Sequence, residues 1–191
     1  MSELRAKLIR IAYENPHLRN QIIPVVTGSS VVKQAAKRNK PTKVNFIEAV
    51  LENPTDLTSW LSQQEGAPSI TGWDVKSHHM TMEYFLGGKG KAKDLERYKQ
   101  FLGNTYTINI VGYAFDDNCV AVLIETNLPV DNKHPHITVA VNGVKPSYSN
   151  ELLEKGEIIE ARGKLRVKVG YFDGRGGGDK FELPYEFYES D

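Results

Sequence analysis

The chain has 191 residues, 24 Lys and Arg against 24 Asp and Glu, 40% apolar residues and one cysteine, Cys119. That composition supports a buried core and excludes disorder throughout. A lone cysteine excludes an internal disulfide or a cysteine-rich zinc site and fits a reducing compartment. No stretch approaches the ~20 apolar residues of a membrane-spanning helix, and the first dozen residues alternate charged and apolar groups instead of forming a signal-like block, so the expected location is the cytoplasm.

The balanced charge hides a split. Residues 1–43 carry nine basic and two acidic side chains, and residues 44–191 carry 15 basic and 22 acidic. Leu4, Leu8, Ile11 and Ala12 share one helical face, Asn15-Pro16 restarts the helix, and Leu18, Ile22 and Ile23 form a second apolar face. Five basic residues between Lys33 and Lys43 then read as a solvated linker, with attraction to a phosphate backbone as the functional alternative. Residues 1–42 are therefore expected to be a basic helical extension with a possible partner of its own, and residues 43–191 the main domain.

From Lys43 the pattern predicts a strand over Val44–Leu51, then a helix over Pro54–Gln63 capped by Asn53. Strands follow at Val75–Tyr84 and around Tyr106–Ile110, with a helix at Asp94–Leu102 between them. A hairpin turn at Asp116–Asn118 leads to a return strand over Val120–Glu125. His136–Asn142 is a further strand, Asn150–Lys155 a short helix, and Ile158–Tyr171 and Lys180–Tyr188 two strands joined by the glycine-rich 173–179 segment. The expected class is α+β with a mostly antiparallel sheet.

Two of these strands carry one pattern, His79-Met80-Thr81 and His136-Ile137-Thr138. In a strand, residues i and i+2 share a face, so each His has its Thr beside it, while Met80, Met82, Ile137, Val139 and Val141 face the other way. If the two strands are neighbours, two imidazoles and two hydroxyls converge. A neutral imidazole can take a proton from an attacking oxygen and a protonated one can give a proton to the leaving oxygen, both near neutral pH. The hydroxyls can donate to the non-bridging phosphate oxygens as charge builds. No cofactor and no metal is required.

The segments HHMTMEYF and HPHITVAVN, with a strand and helix before the first and a hairpin before the second, resemble the 2H phosphoesterase superfamily, which includes the RNA 2′,3′-cyclic phosphodiesterases. The resemblance covers about Lys43 to the C-terminus. It implies a bilobal, pseudo-two-fold fold with a groove between the lobes. It also implies that His79 and His136 are the acid–base pair and that Thr81 and Thr138 hold the phosphate. The implied substrate is a nucleotide or RNA bearing a cyclic phosphodiester, either a 2′,3′-cyclic end or a 3′,5′-linked cyclic oligonucleotide. Some phage-encoded members cleave the latter to evade bacterial immunity. The alternative is a non-catalytic RNA- or nucleotide-binding module that uses the same groove.

Tyr84 and Tyr148, one after each motif, are candidates to stack on a base or donate to a phosphate. His78 should point away from His79 by strand parity, as a structural residue. His134 and His136 have the spacing of a metal pair but lack a third ligand, so no zinc site is expected. Trp73 reads as a lid or a core residue, Gly174–Gly178 as a hairpin tip from which Arg175 could reach a substrate, and Cys119 as inert.

Overall fold

The computed structural model describes residues 43–174 and 178–183. The extension expected over residues 1–42, Arg175 and the part of the last expected strand beyond Leu183 lie outside the described residues. In chain order the elements are β1 (Lys43–Val44), β2 (Phe46–Leu51), α1 (Pro54–Ser62), β3 (Asp74–Val75), β4 (His79–Tyr84), β5 (Gly90–Lys91), a 3₁₀ helix (Ala92–Tyr98), β6 (Thr105–Phe115), β7 (Cys119–Glu125), β8 (His136–Val141), α2 (Tyr148–Lys155) and β9 (Ile159–Phe172).

Six of the strands close into an antiparallel barrel in the order β4-β2-β9-β6-β7-β8, with β8 pairing back to β4. Closure leaves these strands no open edges. Strand and helix are both present, as the α+β reading required. The two lobes implied by the resemblance are not separate sheets: hydrogen bonding runs from one His-Thr strand to the other through a single ring. β1 and β5 form a separate two-stranded ribbon.

Alternation sorts the side chains. Ile47 and Ala49 of β2, Met80 and Met82 of β4, Ile137 and Val139 of β8, and Val167 and Val169 of β9 are all fully buried in one apolar cluster. Leu57 and Leu61 of α1 and Leu95 and Tyr98 of the 3₁₀ helix join it. A second cluster packs Leu152 and Leu153 of α2 against Ala114, Cys119, Ala121 and Val141. That corrects the expectation for Val141, which does not share the cluster of Ile137 and Val139. Asn53 precedes α1 as expected, but its side chain bonds the side chains of Asp56 and Thr55 and makes no cap bond to the backbone.

Three features place the functional face. β4 and β8 meet at one pair, Met80 opposite Ile137, the central residues of the two His-x-Thr triplets. Each triplet is followed by a one-residue bulge. β2 passes from Glu83 to Thr81, leaving Met82 extra, and β7 passes from Ala140 to Thr138, leaving Val139 extra. Bulges bend and twist a strand and re-aim neighbouring side chains. The bulge carbonyls are then put to parallel use: Met82 O accepts from Asp131 N at 2.8 Å, and Val139 O accepts from Lys76 N and Ser77 N at 2.8 and 3.1 Å. A local two-fold relation therefore holds around Met80 and Ile137.

Candidate active site

The antiparallel register at Met80 and Ile137 carries His79 toward Thr138 and Thr81 toward His136 on the face opposite the core. His79, Thr81 and Thr138 are half-buried and His136 is buried. The sequence reading expected these four side chains to converge, and the register sets the two strands that carry them side by side. The proximity of His136 is also one of the causes that lower the pKa of His79.

His136 is held from behind. Its Nδ1–H donates to the His134 carbonyl at 2.7 Å, and its Nε2 lies 2.8 Å from Ser149 Oγ. Because a carbonyl only accepts, the neutral ring carries its proton on Nδ1 and offers the Nε2 lone pair. Burial pushes this histidine below its ordinary pKa. Ser149, fully buried at the start of α2, also lies 2.7 Å from the Pro146 carbonyl and accepts from Thr138 Oγ1 at 3.0 Å. When His136 is neutral, Ser149 can donate to Nε2. When His136 is protonated, Nε2–H donates to Ser149, and Ser149 turns to Pro146. The network is satisfied in both states, which suits a group that gains and loses a proton.

His79 sits in a different setting. Its ring stacks on Phe46 with centroids 5.1 Å apart, and Phe172 stacks on the other side of Phe46. Its Nδ1 is 3.3 Å from Glu48 Oε2 and 3.2 Å from His78 Nδ1, so Nε2 is the nitrogen left for a substrate. Burial, with help from the nearby His78, lowers its pKa to about 4. Glu48 is 0% exposed and lies opposite Thr81 on β2. Burial, and next the Asp179 carboxylate, push its pKa up to about 9. Asp179 acts on Glu48 both as a like charge and as a side-chain hydrogen-bond partner, and each favours a protonated Glu48. At neutral pH both His79 and Glu48 are uncharged, so their 3.3 Å contact is imidazole against carboxylic acid and not an ion pair.

His78 does not point away from His79. The expected strand from Val75 to Tyr84 is broken, because Ser77 adopts φ +22°. That conformation is held by Ser77 N and Oγ, which both donate to the Val139 carbonyl at 3.1 and 3.2 Å. β4 begins only at His79, and strand parity does not reach His78. Its ring instead lies edge-on to His79, with Nε2 3.2 Å from Asp179 Oδ2. A non-glycine residue at positive φ is unusual and is characteristic of functional sites.

Asp179 belongs to a short C-terminal strap. Lys180 pairs with Tyr171 through two 2.8 Å backbone bonds, and a Cβ at Gly170 would meet the Lys180 carbonyl at 2.7 Å. Glycine at 170 is therefore what lets the strap lie against β9 beside Glu48.

The other sequence candidates fare differently. Tyr84 ends β4 and is 62% exposed, open to a ligand. Tyr148 begins α2, and its hydroxyl donates to Asp116 at 2.8 Å, tying it to the β6–β7 hairpin. His134 meets His136 through its carbonyl, which accepts from His136 Nδ1. Trp73 packs against the core. Cys119 is buried, and burial, then Asp116, push its thiol up to about 12, which makes it a poor nucleophile. Ser149, Glu48 and Asp179 were not singled out in the sequence.

Residues 75–172 match the fungal tRNA ligase phosphodiesterase domain. The matched span runs from the second residue of β3 through the end of β9 and contains both His-Thr triplets, Ser77 and Ser149. A comparison with curated proteins found no match. No helix among the described residues is long and apolar enough to cross a membrane. The match takes in just over half of the 191 residues, and the chain belongs to the fungal tRNA ligase phosphodiesterase domain family.

Proposed function

We propose that the chain is a cyclic phosphodiesterase of the 2H type that opens the 2′,3′-cyclic phosphate at an RNA end. The observation that carries the proposal is the Met80–Ile137 register, which sets two His-Thr pairs side by side with each Nδ1 engaged from behind. The family match favours an RNA end over a 3′,5′-linked cyclic oligonucleotide.

In this reading one imidazole Nε2 removes a proton from water, and His136 takes part once the substrate displaces Ser149 from its Nε2. The water oxygen attacks phosphorus, and the other ring gives its proton to the departing ribose oxygen. Thr81 donates to the non-bridging oxygens, where negative charge grows, and Thr138 does so once its hydroxyl turns from Ser149. In the free protein burial keeps both rings neutral. A phosphodiester anion between them favours the imidazolium form of one, so the substrate supplies the charge that arms the acid. Tyr84, exposed at the end of β4, is the side chain proposed to stack on a base. The proton transfers use side chains alone, and turnover is expected to persist in a strong chelator.

The test is a substrate panel. RNA ending in a 2′,3′-cyclic phosphate, 2′,3′-cyclic mononucleotides and 3′,5′-linked cyclic di- and trinucleotides are incubated with the full chain and the products separated. Opening of the cyclic RNA end supports the proposal. Cleavage of only the 3′,5′-linked rings moves the substrate class. Binding without cleavage of any member would establish a phosphate-holding module in place of an enzyme.

A further inference from the structure

Behind the reacting face of His79 lies a second cluster that phosphodiester cleavage does not use. Glu48, His78 and His79 each present one ligand atom, and all three atoms lie within 4.8 Å of one another. The two imidazole Nδ1 atoms are 3.2 Å apart, and Glu48 Oε2 is 3.3 Å from His79 Nδ1. Ligands bound tetrahedrally at about 2.0–2.1 Å stand about 3.3 Å from each other; the two contacts of His79 match that spacing, and the Glu48–His78 pair lies within 4.8 Å. Glu48 is fully buried, and its carboxyl faces the His79 imidazole at 3.3 Å and the Asp179 carboxylate, which acts on it as a like charge and as a hydrogen-bond partner. Two carboxyl groups this close are costly to ionise together, and a cation between the ligand atoms would relieve that cost. His78 completes the pattern on its far side. Its Nε2 is 3.2 Å from Asp179 Oδ2, the carboxylate–histidine arrangement that orients metal-binding imidazoles.

We infer that Glu48, His78 and His79 form a binding site for a divalent cation of the zinc class, with Asp179 orienting His78 from the C-terminal strap. Two imidazoles and a carboxylate suit zinc or cobalt better than magnesium or calcium, which prefer all-oxygen cages. Three protein ligands leave one position for water. Glu48 and Asp179 lie outside the span matched to the family, and His78 and His79 lie inside it.

The site shares His79 with the proposed catalytic face, and its effect on turnover rests on that reading. An ion on Nδ1 fixes the ring's hydrogen on Nε2. The ring can then no longer accept a proton from water, so metal loading switches off one half of the acid–base pair. The cation is a brake on the reaction and plays no part in it.

The test reads metal binding directly. The full chain, stripped with chelator and folded by circular dichroism, is titrated with Co²⁺ and with Zn²⁺ against a chromophoric competitor. The expected result is one equivalent bound, visible absorption bands typical of tetrahedral cobalt, and loss of those bands on addition of Zn²⁺. Affinity should fall about 10- to 100-fold in Asp179→Asn and by more in Glu48→Gln and His78→Gln. His78 is about half exposed, so His78→Gln keeps the test valid if the buried Glu48 variant fails to fold. Absence of stoichiometric binding, or binding undiminished in His78→Gln and Asp179→Asn, would overturn the inference. These readouts need no turnover. If the chain also cleaves RNA ends, Zn²⁺ should inhibit the wild type and chelator should restore it, while Zn²⁺ inhibition that is equal in His78→Gln would count against the site.

Discussion

Glu48 offers a quantitative check on the electrostatics of the site. It is fully buried, and its pKa is raised from 4.5 to about 9. The folded protein therefore holds a proton on Glu48 that the unfolded chain releases above about pH 4.5. A raised pKa contributes stability that is complete below the unfolded value and is lost as pH climbs toward the folded one. In that window the loss is about 1.4 kcal/mol per pH unit. Gln is the neutral isostere of protonated Glu and does not titrate. Between pH 5.5 and 7.5 the wild type should thus lose about 3 kcal/mol relative to Glu48→Gln, whatever other groups common to both proteins do. With urea slopes of about 1–3 kcal/mol per molar, the gap between the two midpoints should move by on the order of 1 M. The assay is urea unfolding in chelating buffer at pH 5.5, 6.5 and 7.5. A gap between the two proteins that stays constant with pH would refute the reasoning. It would mean that Glu48 is ionised throughout, paired with a charged His79.

Ser149→Ala leaves the buried Nε2 of neutral His136 without a donor and should cost about 1–3 kcal/mol by denaturant unfolding; an unchanged midpoint would argue that water replaces the hydroxyl. Met80→Ala empties a fully buried position at the β4–β8 contact without touching His79 or Thr81, and should cost about 2–5 kcal/mol, read as a lower melting temperature. Thr81→Ala and Thr138→Ala should each lower kcat on a cyclic-phosphate RNA end by about 10²-fold, the usual scale for a lost oxyanion donor, with little change in KM. Cys119 should resist a thiol reagent at pH 8 in the native protein and react fully in denaturant, because burial both shields it and raises its pKa.

The arrangement of the two His-Thr triplets was legible because strand alternation is a two-residue rule that tertiary context rarely breaks. Once His79 and Thr81 share a face, their neighbours Met80 and Met82 must be core, as the barrel shows. What alternation could not reveal lay where regular structure ends. Ser77 has positive φ because the Val139 bulge frees a carbonyl for it, and no local signal announces that. The same kink turned His78 toward His79 against the expected parity. Ser149 is 13 residues from the histidine it touches and stands on a helix, so no spacing rule links them. Glu48 was one polar residue in an apolar strand, and only burial distinguishes it from a solvated one. The helix expected at Asp94–Leu102 is a 3₁₀ helix over Ala92–Tyr98, and the pattern of apolar residues does not separate the two. The single barrel was hidden because closure depends on β8 pairing with both β4 and β7, partners far away in the sequence.

The central claim is that His79 and His136 together open a cyclic phosphodiester. It is tested most directly by single-turnover cleavage of an RNA ending in a 2′,3′-cyclic phosphate, in chelating buffer, by the wild type, His79→Ala and His136→Ala, each shown to be folded. The account predicts conversion of the cyclic end to a monoester by the wild type and a loss of at least about 10²-fold in each variant, the scale of one general acid or base. Equal rates in all three proteins would contradict it.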